Sequence, residues 1–174
     1  MGNNPAFGQA ALDLGQIIGK NAWRLVYGAG DTGLMGAAAK GANTSGATTF
    51  GVIPEHLINR EVSSAGPNHF IITDDMHSRK KLMFVNSDAV VLLPGGAGSM
   101  DEFFEVLTWS QLKLHSKPII VANINGYWQP MIKLIDHIIA SGFSDPEMRN
   151  LFCVAQTVTE VEVILRSALN TAKV

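Results

Sequence analysis

Charge is scarce in this chain. Of 174 residues only 13 are Lys or Arg and 15 Asp or Glu, a net charge of −2 with pI about 6.2. Such a set builds no general polyanion-binding surface, although it leaves room for a local basic site. Cysteine is scarcer still, with Cys153 alone, so neither an internal disulfide nor a Cys-rich metal site can form. The five histidines, His56, His69, His77, His115 and His137, show no metal-ligand spacing, and no metal is assigned. Long apolar runs are also missing. Stretches such as 89–94 and 118–122 fall far short of the ~20 residues that cross a bilayer. The opening Met1-Gly2-Asn3-Asn4-Pro5 has neither the basic start nor the apolar core of a secretory signal. What is present is 47% hydrophobic residues and a mean hydropathy of +0.16, which excludes a disordered tail, a coiled coil or a fibrous repeat. A chain of this length suits one domain on a prior of roughly 100–200 residues and buries about 70% of its unfolded surface. These bounds predict a soluble, cytoplasmic protein with a single domain over 1–174.

Short β-branched runs alternate with helical stretches. Apolar residues recur at helical spacing over 5–20, and further helices are expected from Leu34 to about Gly46, from Asp74 or Asp75 to about Asn86, from Ser99 to about Leu114, over 127–141 and over 158–169. Strands are expected over 23–27, 48–53, 70–73, 89–93 and 118–122. Strands that are apolar throughout rather than alternating are covered on both faces. Separated by helices, they predict an α/β fold, a single-domain Rossmann-like doubly wound parallel sheet with helices on both faces. The opening on a helix is unusual for such a sheet. Cys153 is expected in the core.

Two glycine-rich loops each follow a strand and precede a helix, where free N–H groups and the helix dipole favour a phosphate. The first, Gly28-x-Gly30-x-x-Gly33, has the form of the dinucleotide fingerprint, with Glu55 near the place of a ribose-binding acid. Glu55 lies beyond Pro54 and the strand end, so an NAD(P) site is the weaker reading, and approach to some phosphate or sugar the stronger. In the second, Pro94-Gly95-Gly96-Ala97-Gly98-Ser99, three glycines let backbone N–H groups close around an anion. Ser99 is expected at the N-cap, with Asp101 and Glu102 in the first turn. Ser99-x-x-Glu102 then reads either as a capping box or as a carboxylate facing a cationic, sugar-like centre beside the phosphate. On the helix after Asp75, Met76, Arg79 and Met83 share one face. Arg79 either runs its stem along the core and pairs at the rim, or enters the cleft to bind a carboxylate, phosphate or hydroxyls. Lys80 is close enough in helical angle to assist.

These residues resemble the LONELY GUY (LOG) family, once labelled lysine decarboxylases and known as nucleoside 5′-monophosphate phosphoribohydrolases. Pro94-Gly95-Gly96-Ala97-Gly98-Ser99-Met100-Asp101-Glu102 matches its P-G-G-x-G-T-x-x-E hallmark, and Met76-His77-Ser78-Arg79-Lys80 its M-H-x-R-K motif. The similarity runs from Asn4 to about Leu165. Ser99 replaces the usual Thr, and Ala29 stands where the family commonly has a third glycine. The family's first strand and Cys-Gly-Ser turn, which precede the opening helix, are not in this sequence. The resemblance implies that Arg79 and Glu102 are the catalytic pair and that Pro94, Gly95, Gly96, Gly98 and Ser99 hold a 5′-phosphate. It implies also that Gly28 and Gly30 line the cleft, with Met76, Lys80 and Asp101 among the substrate-binding residues. Its implied reaction is hydrolysis of a purine nucleoside monophosphate, AMP or an N6-prenylated AMP, to base and ribose 5-phosphate. Neither metal nor organic cofactor is required, and a homodimer is expected without nucleic-acid or membrane partners. A non-catalytic nucleotide or cofactor carrier on the same fold is the alternative; an NAD(P) oxidoreductase rests on the first loop alone.

Overall fold

A computed structural model of the chain describes residues 2–58 and 67–171. It divides into two compact units, one ending at Ser87 and the other starting at Asp88.

In the first unit, α1 (Pro5–Lys20) begins where the periodicity places it. Asn4 caps it by accepting the Ala6 N–H at 2.9 Å, and Pro5 occupies the first turn. Then come β1 (Leu25–Tyr27), α2 (Gly33–Thr44), β2 (Thr49–Pro54), β3 (His69–Thr73) and α3 (Met76–Val85). The strands form a parallel sheet in the order β1-β2-β3. Helices α1 and α2 meet along small residues. Ala11 and Ala42 are fully buried, and a Cβ on Gly15 would overlap the Ala38 carbonyl oxygen while one on Gly41 would overlap that of Leu12. Close backbone approach is therefore what the alanines and glycines of these helices provide.

The second unit runs β4 (Val90–Leu92), α4 (Ala97–Gln111), β5 (Ile119–Ala122), α5 (Gln129–Ala140), β6 (Cys153–Ala155) and α6 (Val158–Thr171). Its strands are again parallel, in the order β4-β5-β6. All four residues of β5 are buried, as are Phe103 and Leu107 of α4, Ile135 of α5 and Val161 of α6. The Phe103 ring meets that of Phe152 edge to face at 5.6 Å. The α/β class with parallel strands is thus as expected, the ladders falling into two three-stranded sheets among the described residues. No helix of the described residues is long and apolar enough to cross a membrane.

Three expectations are corrected. Strand β3 is not covered on both faces: it lies at a sheet edge, and Phe70 and Ile72 are exposed. Cys153 is exposed rather than in the core, because it begins β6, a strand too short to announce itself by pattern. Finally, α4 starts at Ala97 with Gly96 as its cap, so Ser99 is the third helical residue and not the N-cap.

Candidate active site

The first cluster gathers at the carboxyl end of β1-β2-β3. Thr73 closes β3, its hydroxyl donating to the Asp75 carbonyl at 3.1 Å. Asp75 then caps α3, accepting the Ser78 N–H at 2.7 Å, and this bond holds its carboxyl below the usual carboxylate range. The cap sets the phase of the helix and so the direction of Arg79. Arg79, at 7% exposure, is the buried residue of α3, whereas Met76 is exposed. The polarity pattern is thus inverted: the cation is buried while Met76 stays partly exposed.

Two backbone carbonyls and a sulfur lie against the Arg79 guanidinium. Nε donates to the Val52 carbonyl at 3.2 Å, Nη2 donates to the Gly28 carbonyl at 2.9 Å, and Nη1 lies 3.6 Å from the Met76 sulfur. One planar fork thereby ties β2 to the turn after β1, a geometry that suits guanidinium and not ammonium. A Cβ at Gly28 would overlap Nη2. Gly28, Ala29 and Gly30 are all buried. Ala29 holds it in a left-handed conformation at φ 63°, the region where glycine is favoured. Lys80 is half-buried on α3. Glu55 is exposed in a short 3-10 turn past the end of β2, off the strand end where a ribose-binding acid would sit.

The second cluster is the turn from β4 into α4. Pro94 is buried and Gly95 half-buried, while Gly96, Gly98 and Asp101 are exposed. The Ser99 hydroxyl fills the space that a Cβ on Gly95 would need, whereas Cβ atoms on Gly96 or Gly98 would meet nothing within 4 Å. The turn is therefore packed on one side and open on the other. The first backbone bond of α4 runs from the Met100 N–H to the Gly96 carbonyl at 3.2 Å, so the N–H groups of Ala97, Gly98 and Ser99 precede the helical ladder. With the helix starting at Ala97, the capping box drawn from Ser99 and Glu102 does not form as such. Glu102, half-buried, sits in the second turn.

Tyr127 escapes the sequence reading. Its hydroxyl donates to the Gly95 carbonyl at 2.7 Å across 32 residues of chain. The sole local signal is the Asn125-Gly126 pair that turns the chain toward it.

Parallel strands followed by glycine-rich turns and helices define an α/β protein of the Rossmann-like kind. The family described as possible lysine decarboxylase matches residues 35–164. A probable cytokinin riboside 5′-monophosphate phosphoribohydrolase of Oryza sativa subsp. japonica is 42% identical over 92% of this chain and 72% of its own length. A cytokinin riboside 5′-monophosphate phosphoribohydrolase of Rhodococcoides fascians is 41% identical over 95% of this chain and 84% of its own length. The chain belongs to the LOG family. Among solved structures, a molybdenum cofactor carrier protein from Chlamydomonas reinhardtii has TM-score 0.74 at 24% identity, over 96% of this chain and 90% of that one. A molybdenum cofactor binding protein from Rippkaea orientalis has TM-score 0.73 at 22% identity, over 97% and 91%. These last two establish the fold.

Proposed function

We propose that the chain hydrolyses the N-glycosidic bond of purine nucleoside 5′-monophosphates, a cytokinin riboside 5′-monophosphate or AMP, giving free base and ribose 5-phosphate. The relatives at 42% and 41% identity, with the names they carry, support the reaction. The observation in this chain that carries it is the open side of the turn at Gly96 and Gly98, with Glu102 half-buried one turn further along α4.

In this reading Pro94, Gly95, Gly96, Gly98 and Ser99 receive the 5′-phosphate, and Asp101, Gly28, Gly30, Met76 and Lys80 complete the substrate contacts. As the N–C1′ bond breaks, the electron pair leaves with the base and positive charge builds on the ribose ring. The Glu102 carboxylate stabilises that charge and orients the water that adds to C1′. One proton of the water goes to solvent and the base is protonated as it departs. Arg79, already fixed by two carbonyls, positions the nucleotide or Glu102. The enzyme acts as a cytoplasmic homodimer without metal or organic cofactor.

The test is chromatography of the products from AMP and from N6-isopentenyl-AMP, for wild type and Glu102→Ala. Free base and ribose 5-phosphate from wild type, reduced at least roughly 100-fold in the variant, are expected. Tight nucleotide binding with no base released would sink the hydrolase and leave a carrier. The ratio of the two substrates reports which one the base pocket prefers.

A further inference from the structure

We propose that Tyr127 is a positioning residue for the phosphate-binding turn: its hydroxyl fixes the Gly95–Gly96 peptide so that the Gly96 N–H faces the phosphate of a sugar phosphate or nucleotide. This rests on the reading that the 94–99 turn receives a phosphate.

The first part of the argument concerns what the bond does to the turn. The Tyr127 hydroxyl holds the Gly95 carbonyl at 2.7 Å. The described chain has no cis peptide, and in a trans peptide the C=O of one residue and the N–H of the next point in opposite directions. A donor that pins the Gly95 carbonyl therefore turns the Gly96 N–H to the other side. The Ser99 hydroxyl occupies the space beside the Gly95 Cα, so residue 95 is held on two sides. Next to it, Gly96 and Gly98 face open space. A turn clamped at one residue and open at those that follow has already lost the freedom that ligand binding would otherwise remove.

The second part concerns why an exposed phenol can act as a clamp. Tyr127 is 40% exposed, yet its backbone is mounted on the ends of two strands. Asn123, at 2% exposure, follows β5, and its N–H donates to the Ala155 carbonyl of β6 at 2.8 Å. Its Nδ2 donates to Gln156 Oε1 at 3.2 Å, and its Oδ1 accepts the Trp128 N–H at 2.7 Å. Asn125 and Gly126 take left-handed φ values of 52° and 72°, which reverse the chain. The Tyr127 ring then stands edge to face on Trp128 at 4.9 Å, and Trp128 is 3% exposed. The ring is thus located by packing, and the hydroxyl reaches the turn. An exposed hydrogen bond of this kind adds little to folding stability, so its effect belongs to ligand affinity.

The experiment compares wild type, Tyr127→Phe and Tyr127→Ala in the full chain. Calorimetry measures binding of ribose 5-phosphate and, separately, of adenine, and steady-state kinetics measures KM and kcat for AMP. Tyr127→Phe keeps the ring on Trp128 and removes the bond. It is expected to unfold at the wild-type temperature, to bind ribose 5-phosphate roughly tenfold more weakly, to raise KM for AMP by a similar factor, and to leave adenine binding unchanged. Tyr127→Ala, which also loses the ring, is expected to unfold at lower temperature with the same selective loss. Unchanged ribose 5-phosphate affinity in Tyr127→Phe overturns the proposal, as does equal weakening of ribose 5-phosphate and adenine. Wild type that binds no ribose 5-phosphate overturns it too. Should wild type bind ribose 5-phosphate but release no base from AMP, the hydrolase reading fails, while the calorimetric loss in Tyr127→Phe still supports the clamp.

Discussion

Arg79 and Gly28 share one small volume: Nη2 of the guanidinium donates to the Gly28 carbonyl at 2.9 Å, and a Cβ at position 28 would overlap that nitrogen. The buried cation is seated on backbone carbonyls, and glycine at 28 is what leaves space for the seat. Gly28→Ala is expected to cost about 1.5–3 kcal/mol, the worth of one hydrogen bond to a charged group. Arg79→Lys keeps the charge but cannot reach the Val52 and Gly28 carbonyls with one planar group, and should lose at least as much. Urea denaturation measures both; wild-type stability in either would show that the guanidinium does not need this seat.

The seam between α1 and α2 makes a second prediction. A Cβ at Gly41 would overlap the Leu12 carbonyl oxygen, and one at Gly15 that of Ala38. Backbone cannot move aside as a flexible side chain can, so Gly41→Ala and Gly15→Ala should each cost about 1–3 kcal/mol by overpacking. Helix propensity alone would have them stabilise by up to ~1 kcal/mol. The sign of the shift in thermal midpoint decides between the two.

Gly98 lies inside α4, where an added Cβ meets open space. Gly98→Ala should therefore unfold at or slightly above the wild-type temperature. If a phosphate sits against this turn, the same variant should raise KM for AMP several-fold. Unchanged KM would place the phosphate elsewhere.

Ala29 sits at φ 63° and 2% exposure. Its left-handed backbone costs about 1–2 kcal/mol that glycine would not incur. Against this, glycine gives up a buried methyl and gains unfolded-state freedom, each worth roughly 0.5–1 kcal/mol. Ala29→Gly should stay within about 1 kcal/mol of wild type, whereas Ala29→Val, β-branched in the left-handed region that such residues avoid, should lose more than about 2 kcal/mol. A large loss in the glycine variant would mean that the methyl matters more than the strain.

Asp75 supplies a pH dependence. Its bond to the Ser78 N–H lowers its pKa in the folded chain. A depressed carboxyl contributes stability fully above its unfolded pKa of about 3.9, and that contribution fades as pH falls through the lower folded value. Asp75→Asn keeps an acceptor for the cap and does not titrate. Its thermal midpoint should fall less than that of wild type between about pH 4 and pH 2; parallel falls would assign the acid sensitivity to other groups.

The periodic helices and all-apolar strands were legible because their causes are local: α1 runs over Pro5–Lys20 as its apolar spacing and Pro5 require, and β5 is buried along its whole length. Strand β6 was not legible, since three residues carry no period and pairing with β5 creates it. The start of α4 was misplaced because a hydroxyl at Ser99 is a good cap in isolation, while the helix begins two residues earlier, at Ala97 with Gly96 as its cap. Both glycine-rich turns, and the placing of Arg79 and Glu102 on the helices that follow strands, could be read from local pattern.

The amino-acid sequence by itself determined the α/β class, the family and the two glycine-rich turns, because side-chain period, backbone freedom and short motifs are properties of neighbouring residues. Tertiary structure alone decided that Arg79 is buried on carbonyls 27 and 51 residues away, and that Tyr127 holds a carbonyl 32 residues back. Those partners are chosen by where the strands end in space, which no local pattern encodes.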